Sequence, residues 1–107
     1  MIIDAHVHVW PDRIAAAVVA TRPTGLNPMF DGTLAGITRT LDESGIDMAM
    51  ALGVAAKAST VARTNEFIGS VPRDRFIPFG TVHPAWLSWI FGALKSEFQQ
   101  PHPACCA

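Results

Sequence analysis

Apolar and polar residues alternate from the first positions of the chain. In MIIDAHVHVW, Asp4, His6, His8 and Trp10 occupy every second position, with Ile3, Ala5, Val7 and Val9 between them. A period of two belongs to a β-strand. It predicts a strand over 2–8 with an apolar face and a face bearing a carboxylate and two imidazoles. The period then lengthens. PDRIAAAVVATR, 11–22, is Ala-rich and has Pro11 where a helix would start, so it predicts a short helix. PTGLNPMFDG, 23–32, holds two Pro and two Gly and predicts a loop. Leu34, Ile37 and Leu41 form one helical stripe, with Asp31 or Thr33 as candidate N-cap and Gly45 just past the end.

A second strand is expected over 46–52. Ile46, Met48, Met50 and Leu52 would share one face, and Asp47, Ala49 and Ala51 the other. KASTVARTNEFIGSV, 57–71, predicts a third helix contacting the rest through Val61, Phe67, Ile68 and Val71. PRDR, 72–75, is a turn; Arg73 and Arg75 beside Asp74 suggest surface ion pairing. A third strand is expected over 76–82. Strands separated by helices argue for βαβ units, a parallel sheet and right-handed crossovers.

The polar face of the first strand suits a metal. Alternate Cα atoms lie roughly 6.5 Å apart, so His6 and His8 could lean together onto one zinc-like ion at about 2.0–2.1 Å from each nitrogen. Asp4 could orient an imidazole or help hold a nearby ion. The plainer alternative is a half-exposed antiparallel strand whose polar face happens to carry histidines. His83, in TVHP after the third strand, is a pocket candidate with Trp10; a strand-capping histidine that meets solvent is its bland counterpart. Glu66 and Glu97 are explained by solvated helix faces. No nucleophile elbow, H-E-x-x-H, P-loop or dinucleotide fingerprint is present.

DAHVHVW resembles the first strand of amidohydrolase-superfamily enzymes, which carry an Asp-x-His-x-His motif there. The trailing Val-Trp is most similar to the amidohydrolase-related (amidohydrolase 2) branch. That branch includes metal-dependent hydrolases and non-oxidative decarboxylases of the aminocarboxymuconate-semialdehyde decarboxylase type. GIDMAMALGVA, 45–55, and PRDRFIPFGTVHP, 72–84, are similar to its second- and third-strand segments. TatD-type deoxyribonucleases share Asp-x-His-x-His but usually continue differently, so Trp10 and the 72–84 segment carry the choice. The resemblance implies a divalent metal, zinc or manganese, on His6 and His8, with Asp4 adjacent. It implies a small-molecule substrate and a metal that activates water or polarises a carbonyl or carboxylate. It does not make His83 a ligand. The general-base Asp it implies would follow a later strand and is absent from this chain.

Composition and length then limit the expectation. The chain has 107 residues, 50% hydrophobic and 16% charged, with a net charge of −1. Near-neutral charge offers no electrostatic footprint for nucleic acid or an anionic membrane. The start lacks a basic segment before an apolar core, and AWLSWIFGAL, 85–94, is about half of the ~20 residues that a span needs. These features predict a cytoplasmic chain with no nucleic-acid or membrane partner. A (β/α)8 barrel takes about 250 residues. The expected fold is therefore α/β, an N-terminal fragment of a TIM barrel with about three parallel strands and their helices over 1–84. Residues 85–107 are expected to form an apolar helix and an atypical tail, as a truncated or frameshifted frame would give. Trp86, Ile90, Phe91 and Leu94 make an apolar stripe, expected with Trp89 to drive self-association. Cys105 and Cys106 are adjacent, suit no disulfide framework and, with His102, offer at most a weak tail metal site. The reading from another class is a non-catalytic β/α half-module that self-associates or pairs with another chain.

Overall fold

The computed structural model describes residues 1–23 and 27–85. Expectations that fall on Trp86, Trp89, Ile90, Phe91, Leu94, His102, Cys105 and Cys106 lie outside the described residues. The described chain is an α/β fold: β1 (Ile3–Val7), α1 (Asp12–Ala20), α2 (Leu34–Ser44), β2 (Met48–Leu52), a 3-10 turn (Ala58–Thr60), α3 (Val61–Gly69) and β3 (Phe76–Phe79). The strands form one open sheet in the order β1-β2-β3, and both pairings are parallel. Among the described residues no helix is long and apolar enough to cross a membrane.

Helix α2 is bounded by local chemistry. The Thr33 side chain accepts the Gly36 N–H at 2.9 Å, so Thr33 is the N-cap. Asp31 Oδ1 in turn accepts from the Thr33 hydroxyl at 2.7 Å and the Thr33 N–H at 3.0 Å. Gly45 closes the helix at φ 66°, ψ 29°, a left-handed conformation that costs glycine no Cβ clash. Helix α3 is shorter than its sequence pattern, because Ala58–Thr60 winds as a 3-10 turn before it.

One face of the sheet holds the core. Val7, Val9, Ala49, Ala51 and Phe76 cluster with Ile37 and Leu41 of α2 and with Ile68 and Val71 at the end of α3. Both helices therefore cover the same side. Ala49 and Ala51 are 0% exposed, so the small face of β2 is the buried one. Leu41, Ile68 and Phe76 are the large buried side chains that share the core cluster with these alanines. The opposite face of β2, with Met48, Met50 and Leu52, is only half-buried, and Phe79 is 41% exposed.

Two side chains tie the ends of the elements together. Arg75 pairs with Asp42 at 2.7 Å and donates from Nε to the Asp47 carbonyl at 3.1 Å. The ion pair that Arg75 forms thus crosses from the turn to Asp42 of α2, and Arg73 donates to the Gly69 carbonyl. Asn65 of α3 clamps Thr81, donating to its carbonyl at 3.0 Å and accepting its N–H at 2.7 Å. That clamp aims the chain as it leaves β3.

The cap of α2 has a pH signature. Hydrogen bonds from the Thr33 side chain and backbone hold the Asp31 carboxyl below the ordinary aspartate value. A depressed folded-state value adds stability that is present above the unfolded value, about pH 4, and is lost as pH falls through the lower folded value. Thr33→Ala is expected to cost about 1 kcal/mol in urea unfolding near neutral pH. The advantage of the wild type over Asp31→Asn is expected to shrink below about pH 4; an advantage that grows on acidification would contradict this assignment.

Candidate metal centre

The site is built where β1 meets β2. Register places Ile3 beside Met48, Asp4 beside Ala49 and Val7 beside Ala51. Three steps along β1 therefore match two along β2, which is a bulge. Partners in a parallel pair lie on the same side, so Asp4 and Val7 both fall on the helix-covered side with the two alanines. The expectation that Asp4, His6 and His8 share one face through strict alternation is corrected by this bulge. His6 and His8 lie on the side away from Val7 and Val9, and Asp4 reaches forward along the strand to accept the His6 N–H at 2.9 Å.

The two imidazoles converge. Nε2 of His6 and Nε2 of His8 are 2.9 Å apart, with the rings edge to face at a centroid distance of 4.7 Å. An ion about 2.0–2.1 Å from both nitrogens would subtend roughly 90° at that spacing, and a tetrahedral zinc would need them opened to about 3.3 Å. Both rings would also have to turn so that their Nε2 atoms, now engaged in the hydrogen bond between them, point at one ion. The other nitrogen of His8, Nδ1, is 3.0 Å from the Leu52 carbonyl on β2. A carbonyl can only accept, so Nδ1 carries the proton and Nε2 of neutral His8 keeps its lone pair. Ligand histidines are commonly held this way by a carbonyl or carboxylate behind the ring. In the metal-free pair, His6 then donates from Nε2 to His8.

Trp10 continues the row, with its ring 6.1 Å from that of His8. Its position depends on Gly32. The Gly32 carbonyl accepts the Trp10 N–H at 2.9 Å, and its φ of 86° suits glycine. A Cβ there would come 2.9 Å from Val19 Cγ2 and 3.3 Å from the Trp10 ring. Asp4, His6, His8 and Trp10 border a cavity of about 650 Å³ whose apolar walls include Val19 and Phe30. That volume is in the range of small-molecule sites.

His83 is placed differently. Its Nδ1 accepts the Ala85 N–H at 3.2 Å within its own turn, and it does not border that cavity. Among the described residues no group of three or more His, Cys, Asp or Glu is placed to hold a metal ion. The described donor set is the pair of imidazoles. The Leu52 carbonyl and the Asn65 clamp were not singled out in the sequence. A backbone acceptor carries no residue signature, and an Asn on a helix face looks like any solvated position.

No family model, curated protein or solved structure matches the chain.

The hydrogen-bond pattern fixes an observable. In metal-free protein at alkaline pH, nitrogen chemical shifts are expected to show His8 as the Nδ1–H tautomer and His6 as Nε2–H. His8 found as Nε2–H would overturn the role given to the Leu52 carbonyl.

Proposed function

We propose that this chain carries the metal-binding first strand of an amidohydrolase-type (β/α)8 unit. The activity of such a unit would be that of a metal-dependent hydrolase or a non-oxidative decarboxylase acting on a small molecule. The observation that carries the proposal is the 2.9 Å convergence of the His6 and His8 Nε2 atoms, with a carbonyl behind His8. The DAHVHVW resemblance and the winding of α2 and α3 on one side of a sequentially ordered parallel sheet support it. His6 and His8 would hold a divalent ion, zinc or manganese. Such an ion supplies Lewis acidity to a bound water, carbonyl or carboxylate. The Leu52 carbonyl orients His8, and the Trp10 ring flanks the pair. A catalytic zinc usually takes three protein ligands. The remaining donors and a general-base carboxylate would have to come from outside the described residues, and the proposal is that the 107 residues alone turn over no substrate.

Two ligands give modest affinity. His6→Ala and His8→Ala are each expected to abolish most zinc binding in calorimetry, and the double change Cys105→Ser, Cys106→Ser is expected to leave it intact. Loss on the cysteine change alone would move the metal to the tail and end this reading.

The half-module reading rests on a different observation. Ile3 and Phe79 are 42% and 41% exposed on edge strands, beside half-buried methionines. Each large apolar side chain left in water forgoes about 1.5–3 kcal/mol, against a whole-domain margin of about 5–15 kcal/mol. Unpaired strand edges are templates for association. Sedimentation at micromolar concentration is expected to show oligomers, with a melting temperature that rises with concentration. A monodisperse monomer with a sharp, concentration-independent transition would contradict it. Hydrolase or decarboxylase turnover by the purified chain with added zinc or manganese would favour a self-contained enzyme over a half-module.

A further inference from the structure

We infer that Asp4 is a positioning residue that sets, through the backbone, the side of the sheet on which the two histidines stand, and that it does so as a hydrogen-bond acceptor and not as a charge or a ligand. The inference rests on the metal-site reading above and adds to it a cause for the geometry.

The argument starts from the ladder. The Ile2 carbonyl accepts from Asp47 N and Met48 N, so residue 2 directs its polar backbone atoms toward β2. In an uninterrupted strand the backbone groups of residues 4 and 6 would follow. The register shift between Asp4 and Val7 ends that phase. A bulge takes one residue out of the ladder and leaves its backbone groups without a strand partner. The Asp4 carboxylate supplies one, accepting the His6 N–H through Oδ1 at 2.9 Å. This is the two-residue side chain–backbone bond by which Asp and Asn hold local turns against regular structure. Its consequence lies on the other side of the strand. The bulge resets the phase so that Val7 and Val9 enter the core while His6 and His8 stay together opposite them. His8 then sits where its Nδ1 meets the Leu52 carbonyl.

An acceptor at this place needs an oxygen and no charge. Asn offers the same oxygen on the same stem, and Ala offers none. A ligand or electrostatic role would instead make Asn nearly as damaging as Ala.

The test uses the full chain and cobalt(II) or zinc as probe. Asp4→Asn is expected to keep metal affinity within about threefold of wild type. Asp4→Ala is expected to lose about 10–100-fold, the range typical of residues that support metal ligands. A second readout needs no metal. In apo protein, the His6 amide is expected to be protected from hydrogen exchange in wild type and Asp4→Asn and unprotected in Asp4→Ala, with the contact of the His8 ring with Leu52 lost in the alanine variant alone. Equal loss of affinity in both variants, with the His6 amide still protected in Asp4→Asn, would overturn the inference in favour of a charge or ligand role. Protection unchanged in Asp4→Ala would overturn it outright. Wild type that binds no metal while the exchange pattern holds would remove the metal reading and leave the bulge assignment standing.

Discussion

The parallel pairing of β1 with β2 is where the backbone of this chain meets its candidate chemistry. His6 and His8 are neighbours on β1, but the carbonyl that fixes the His8 ring belongs to Leu52 on β2. Without that pairing the imidazoles would have sequence spacing and nothing to orient them. The pairing itself is pressed into place from one side. Val7, Ala49 and Ala51 are buried in one cluster with side chains of α2 and α3. A packed core on one face thus positions polar groups on the other.

One-sided packing also shapes the other face. Among the described residues, a sheet whose strands run in sequence order, with α2 and α3 on the same side, has a second face that is only partly covered. In a closed barrel that face is the filled interior. Here Met48, Met50 and Leu52 are half-buried while Ile3 and Phe79 are exposed, and the strand that bears the histidines is also a sheet edge. The metal reading and the association reading therefore share a physical origin. The surface that would complete the coordination shell and the surface that would complete the core are on the same side of the sheet.

Much of this was legible from local patterns. Thr33 and Gly45 bound α2 because caps depend on residues within a few positions of each other. The strands and their parallel order follow from the alternation of apolar runs with helical stripes, and the His6–His8 pair follows from their spacing. The bulge was not legible. An Asp that binds the backbone two residues on has the same letter as an Asp that faces a metal, and strict alternation put it on the wrong side. The faces of β2 were visible, but hydropathy ranks Met and Leu above Ala as core residues. Only the approach of two helices shows that the alanines are buried. The Asp42–Arg75 pair joins residues far apart in sequence, as does the Asn65–Thr81 clamp, so neither spacing carries a signal.

The central claim is that the His6–His8 pair is a metal-binding unit. X-ray absorption at the zinc edge of the full chain loaded with one equivalent of zinc tests it most directly. The account predicts two imidazole nitrogens at about 2.0–2.1 Å, the rest of the shell oxygen, and loss of the imidazole scattering in the His6→Ala, His8→Ala double variant. Sulfur scatterers at about 2.3 Å, or imidazole scattering that survives the double variant, would contradict it.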